Sequence, residues 1–249
     1  GPRVRCLHYP GSGIETTFTQ GEDNFLAALV QELPEEPAGA GPSLLVAGAL
    51  ADVVEDQFRR IFEALGIGPV GFLPPRASTA LPHVGPNTRL LLAQPFLGET
   101  AKALERRGAR HLLAPFPLGE EGTTAWLKAA ADAFGVEPGR FAAITGPGRA
   151  RAKLAVGNLR TELEGKRVFL FPDSQIEPSV ARFLHRELGC DIVEIGTPFL
   201  HRHHLAGEFE LLPDNVFVSE GQDVDRQLDF RAGRDEHDRH EQRQQQRRH

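Results

Sequence analysis

The apolar residues of this chain fall in short unbroken runs, at 43–49 (SLLVAGA), 89–93 (RLLLA) and 111–115 (HLLAP), separated by stretches with helical periodicity. An unbroken run offers no polar face to water, so each reads as a strand covered on both sides. Parallel strands joined by crossover helices give that double cover. Further short strands are expected at 4–9, 70–73, 167–171, 191–195 and 216–218. Between them, one helical period opens at Asp23 with Phe25, Leu26, Leu29, Val30 and Leu33. A second runs from Asp52 to Leu65, and others cover 100–107, 123–134 and 149–163. Gly66, Gly165 and Gly189 supply the stops. The pattern predicts an α/β fold with two parallel-sheet units, at 1–164 and 165–228, divided near Gly165.

After Leu228 the sequence turns to DFRAGRDEHDRHEQRQQQRRH. With almost nothing apolar to bury, residues 229–249 cannot offset their ordering entropy and are expected to be disordered. A formal net charge of -6 argues against nucleic acid as a partner, because a binder must neutralise phosphates. No apolar run approaches the roughly 18 residues of a membrane span, and a cytoplasmic location is expected. The two cysteines, Cys6 and Cys190, stand far apart without a CxxC context. An iron–sulfur centre needs about four thiolates, so no metal ligand is assigned.

Residues 4–23 (VRCLHYPGSGIETTFTQGED) read as strand, glycine-flexed loop and helix start. Gly11-Ser12-Gly13 begins a dinucleotide fingerprint, but its third glycine would fall at Thr16, and no GxxxxGK[ST] loop exists. What remains is hydroxyl and amide groups, on Ser12, Thr16, Thr17, Thr19 and Gln20, where open α/β sheets hold ligands. The same residues would also suit a turn that satisfies its own backbone.

Other polar groupings have plainer readings. The 145–149 segment (TGPGR) reads as a hinge before a helix, and 119–124 (GEEGTT) as a loop entering one. His201, His203 and His204 on an extended segment would point apart and suit a surface. Asp173, Glu177, Glu220 and Asp223 follow strands and suit helix capping better than paired acid–base catalysis. No catalytic residue is assigned.

The 4–23 segment, together with ALADVVEDQF, GIGPVGFLPPR, LLAQPF, EGTTAW, FPDSQIEPS, GTPFLHR and SEGQDVDRQL, resembles the N-subunit family of light-independent (dark-operative) protochlorophyllide reductases. These are nitrogenase-like proteins of bacteriochlorophyll biosynthesis, and the resemblance runs from Arg3 to Leu228. It implies Rossmann-like domains, with 1–164 as the second domain plus a bridging helix and 165–228 as the start of the third. It implies an N2B2 assembly with a B subunit, electrons from ferredoxin delivered by an ATP-hydrolysing L protein, and a [4Fe-4S] cluster whose N-side ligands lie in a first domain outside this chain. The implied reaction reduces the C17–C18 double bond of protochlorophyllide to chlorophyllide. Ser12, Thr16, Thr17 and Gln20 become the expected substrate-pocket residues. With no methionine and a start directly in a strand, the chain reads as an internal fragment, expected to be inactive alone. The alternatives are a truncated, catalytically silent α/β fragment and a part of a related enzyme such as chlorophyllide reductase.

Overall fold

The computed structural model describes residues 8–9 and 16–220. The expected strand at 4–9, Ser12, Asp223 and the expected disordered tail at 229–249 lie wholly or mostly outside them.

Two parallel sheets carry the fold. The first is built from β1 (Ser43–Ala47), β2 (Val70–Leu73), β3 (Thr88–Leu92) and β4 (Arg110–His111), in the order β2-β1-β3-β4. All its pairings are parallel. Leu45 and Ala47 of β1 and Leu90 and Leu92 of β3 enter one apolar core, while Leu44, Val46 and Leu91 enter another on the opposite face. Alternate side chains of one unbroken run thus serve two cores, which explains why the run lacks polar residues.

The first core is covered by α1 (Phe18–Val30) and α3 (Gly98–Arg106). The second is covered by α2 (Asp52–Leu65), α4 (Gly119–Ala133) and α5 (Pro138–Leu163). Trp126 of α4 is 1% exposed there, wedged against Phe58 and Phe62, and its indole N–H donates to the Leu92 carbonyl at 2.7 Å. That bond satisfies the one polar atom of the largest buried side chain.

The second sheet holds β5 (Arg167–Leu170), β6 (Asp191–Thr197) and β7 (Phe217–Glu220), again all parallel, with α6 (Glu177–Arg186) and α7 (Arg202–Phe209). Gly165, at φ 71°, makes the turn from α5 into β5.

The structure corrects four sequence expectations. The 145–149 segment is no hinge: α5 runs through it with Pro147 inside. Anchoring at the front of that helix outweighs the proline, because Phe141 packs in the second core and Arg140 donates to the Ala64 carbonyl at the end of α2. Gly119 to Thr124 form the first turns of α4 rather than a loop. The α1 helix opens at Phe18, five residues before Asp23. The strand expected at 111–115 shrinks to Arg110–His111, and Pro115 and Pro117 fall in the connection that follows.

Candidate functional site

Helix α3 follows β3, so its first residues sit at the carboxyl edge of the first sheet, and three other segments converge on them. Asp23 of α1, 4% exposed, accepts from the backbone N–H of Glu99 and of Thr100, both at 2.8 Å, and from the Thr100 hydroxyl at 2.7 Å. Leu97, the N-cap, has no side-chain acceptor of its own, so Asp23 supplies the cap from a neighbouring helix. The His201 ring, just after β6, lies against Gly98, where a Cβ would come within 2.7 Å of it. Ile176, just after β5, and Leu200 pack on the core that contains Phe96 and Leu97. The carboxyl edges of both sheets therefore meet at the start of α3, the edge where open parallel sheets hold ligands.

Of the sequence-predicted pocket residues, Thr16, Thr17 and Gln20 stand at the entrance of α1, ahead of Asp23. Thr17 caps α1: its hydroxyl accepts from Gln20 N–H at 3.2 Å, and the Gln20 side-chain oxygen accepts from Thr17 N–H at 2.9 Å. This reciprocal capping box is the self-satisfying turn anticipated as the plainer reading, and it fixes the two side chains at the helix entrance. Thr16 is half-buried beside them, Thr19 is buried, and Ser12 lies outside the described residues.

Next to this entrance is the switch point between β1 and β3, where the chain order reverses. The Glu22 carboxylate accepts from Ala49 N–H at 3.3 Å, and burial raises its pKa above the usual carboxylate value. Gln94 donates to the Ala49 carbonyl at 3.0 Å, while its own Oε1 is sealed without a hydrogen-bond partner. Gly48, at φ 133°, leaves room there, since a Cβ would come within 2.9 Å of that oxygen. Sequence reasoning missed Glu22 and Gln94, although both stand in motifs that carried the resemblance.

Exposed aromatic rings follow the same edges. Phe18, at the mouth of α1, is 88% exposed; Phe171 follows β5 at 53% and Phe199 follows β6 at 37%. Phenyl rings left exposed to this degree are surfaces suited to contact with an apolar group.

The histidines are arranged differently from the sequence expectation. The segment is helical, and His204 packs its ring edge-on to His111 of β4 at 5.2 Å, with His201 at 5.9 Å and His203 at 5.6 Å. Burial lowers the pKa of both His111 and His204 to about 4, helped by neighbouring histidines. No group of three metal-ligating side chains occurs among the described residues. Of the remaining carboxylates, Glu177 accepts from Asp173 and Ser174 N–H at 2.6 and 2.7 Å, and Glu220 from Leu200 N–H at 3.2 Å.

Cys190 does not suit a cluster. It is buried, burial raises its thiol pKa, and its Sγ rests 3.6 Å from the Leu163 carbonyl. A neutral buried thiol is a packing group and not a thiolate ligand.

This architecture places the chain in a known class: it belongs to the nitrogenase component 1 type oxidoreductase family, whose model matches residues 2–234. The fold is similar to the solved structure of nitrogenase Cp1 at pH 6.5, with TM-score 0.61 and 21% identity over 83% of this chain and 50% of that one. Within the family, the chain is 66% identical over 228 residues to the light-independent protochlorophyllide reductase subunit N of Rhodopseudomonas palustris strain BisB18, covering 92% of this chain and 53% of that protein. It is 63% identical over 229 residues to the subunit N of Rhodospirillum rubrum strain ATCC 11170, covering 92% of this chain and 52% of that protein. The chain therefore spans about half the length of the curated relatives it matches.

Proposed function

We propose that the chain is an internal segment of the N subunit of a light-independent protochlorophyllide reductase, and that it walls part of the tetrapyrrole cavity. The observation carrying this reading is the continuous identity of 63–66% over more than nine-tenths of the chain. The exposed phenyl rings at the meeting of the two sheet edges support it, because a flat macrocycle needs such walls.

The whole enzyme reduces the C17–C18 double bond of protochlorophyllide to give chlorophyllide, in the cytoplasm, as an N2B2 assembly. An ATP-hydrolysing L protein passes ferredoxin-derived electrons to a [4Fe-4S] cluster. The described residues do not fit that cluster, since Cys190 is a buried thiol, and no electron-transfer step is assigned to them. Their part is to bind and orient. Phe18, Phe171 and Phe199 exclude water from the macrocycle faces, while Thr16, Thr17 and Gln20 with Ser12 hold the entrance of α1 beside it. Gly165 marks the passage from the second domain of the subunit to the start of its third. The isolated chain is inactive on this reading, because half of the subunit lies outside it.

Grafting tests the reading. Residues 16–220 replace the matching stretch of the Rhodopseudomonas palustris subunit N, and the chimaera is assembled with the B subunit and supplied with L protein, ATP and reductant. Chlorophyllide formation within about ten-fold of the host enzyme is expected. An assembled complex that leaves protochlorophyllide unchanged would refute the reading.

A further inference from the structure

The turn between β5 and α6 holds a cluster of buried, unsatisfied polar atoms. Gln175 is 1% exposed, its Oε1 has no hydrogen-bond partner, and at φ 69° it is the only non-glycine residue with positive φ among the described residues. Glu177, 5% exposed, spends Oε1 on two backbone N–H groups and leaves Oε2 unpartnered. The Ser179 hydroxyl, 1% exposed, is unpartnered as well.

A left-handed glutamine is strained, and buried polar atoms without partners are costly. Such a turn persists only if the folded state gains something elsewhere, and strained, under-satisfied turns concentrate at ligand clamps. Location agrees. The turn leaves the carboxyl edge of β5, and Ile176 beside it packs on the apolar core that also holds Leu26 of α1 and Leu97 at the start of α3. It thus stands on the β5 side of the region where the carboxyl edges of the two sheets approach each other. The unpartnered atoms of Gln175 and Glu177 are acceptors, so the group they call for is a donor.

We propose that Gln175 is a substrate-contacting residue whose side-chain carbonyl accepts a hydrogen bond from an O–H group of the bound tetrapyrrole. The contact depends on the tetrapyrrole reading above. The oxygen is sealed while the turn is in its strained form, so binding swings the turn, and release of the αL conformation favours the swing. Two O–H donors exist on protochlorophyllide: its propionic acid arm when protonated, and a water on its central magnesium.

The test uses the full-length N subunit carrying this stretch, assembled with B and supplied with L protein and ATP. Gln175→Gly removes the amide while tolerating positive φ, whereas Gln175→Asn keeps an amide and tolerates αL. The Gly variant is expected to raise KM for protochlorophyllide roughly five- to ten-fold with kcat within two-fold, and the Asn variant to stay within about three-fold of wild type. A Gly variant equal to wild type, or one that fails to assemble, would overturn the proposal, since either makes the side chain merely structural or irrelevant. Protochlorophyllide methyl ester and the metal-free macrocycle then separate the two donors: the one that abolishes the difference between Gly variant and wild type has lost the donor, and if neither does, the proposal falls. If the unsubstituted assembly forms no chlorophyllide, the functional reading itself is what fails.

Discussion

At the scale of single residues, two glycines of the same chemistry should respond to alanine with opposite signs. Gly122 of α4 leaves no space: a Cβ would collide with the Phe116 carbonyl and the Arg182 guanidinium. Gly157 of α5 has nothing within 4 Å. Helix propensity favours alanine at both by up to about 1 kcal/mol. Gly157→Ala should therefore raise stability by that amount in denaturant unfolding. Gly122→Ala should lower it by about 2–3 kcal/mol, because overpacking exceeds the propensity gain. Equal effects would mean that the space around Gly122 is open enough to accept a methyl group. The histidine pair makes a second residue-scale prediction. His111 and His204 have folded pKa values of about 4, below the ordinary 6.5, so the folded state favours the neutral rings. Above pH 6.5 neither state binds the proton and the pair contributes no slope. As pH falls from 6.5 to 4 the unfolded chain takes up protons that the folded chain refuses, and stability declines until it levels off below 4. Lys102, His201 and His203 face the same cluster and add to the refusal. Denaturation midpoints from pH 7 to 4 should show this decline, and H111Q/H204Q should flatten it; an unchanged slope would place the titrating groups elsewhere.

At the scale of elements, helices borrow their caps. Leu97 and Leu118, the N-caps of α3 and α4, carry no side-chain acceptor. Asp23 serves α3, and Glu187 serves α4 by accepting from Glu120 and Glu121 N–H at 2.7 and 3.2 Å. Asp23→Ala should cost about 2 kcal/mol, since two backbone N–H groups lose their acceptor together, while the Thr100 hydroxyl keeps only the Asp23 backbone carbonyl at 3.1 Å. Hydrogen exchange at Glu99 and Thr100 should rise in that variant while α2 stays protected, and a uniform increase would contradict a local cap. This borrowing also explains what the sequence could and could not disclose. β1 and β3 were legible because an unbroken apolar run states its own burial, while the run at 111–115 was cut short by its prolines. The start of α1 was legible too, in the T-x-x-Q spacing of Thr17 and Gln20, but the weight given to Asp23 hid it. Asp23 itself looked like a cap for its own helix and instead caps one 77 positions away in contact partner. α7 lacked periodicity: only Leu205 is a buried apolar residue in HRHHLAGEF, so the helix owes its form to the contacts it makes. The turn at Thr17 and Gln20 was legible as one that satisfies its own backbone, whereas Glu22 and Gln94 acquire a setting only once α1 and the connections after β1 and β3 come together.

At the scale of the whole molecule, one buried ion pair ties the two sheets together. Arg182 of α6 and Glu208 of α7 are both fully buried and bonded to each other. Arg182 also donates to the Leu118 carbonyl at 2.9 Å, and Glu208 accepts from Phe116 N–H at 2.7 Å, so both partners grip the connection leading out of the first sheet. A charge taken out of water and left alone costs about 3–5 kcal/mol, whereas the complete pair roughly breaks even. The pair therefore adds little net stability, yet neither sheet can part from the other without exposing or orphaning a charge. That coupling should make the chain melt in a single calorimetric transition. Glu208→Gln leaves the buried Arg182 charge only the more distant Glu187 carboxylate, 3.8 Å away, and the penalty falls on the smaller, three-stranded sheet whose core is the poorer of the two in apolar side chains. The melt of E208Q should split, with β5, β6 and β7 lost several degrees before the first sheet, as read by calorimetry together with the near-UV signal of Trp126 in the first unit. Substituting both partners, Arg182→Met with Glu208→Leu, should recover most of the lost stability, because no charge is then buried. If E208Q still melts in one step, the ion pair is not the element that couples the sheets, and the coupling must reside in α5 and the Gly165 turn.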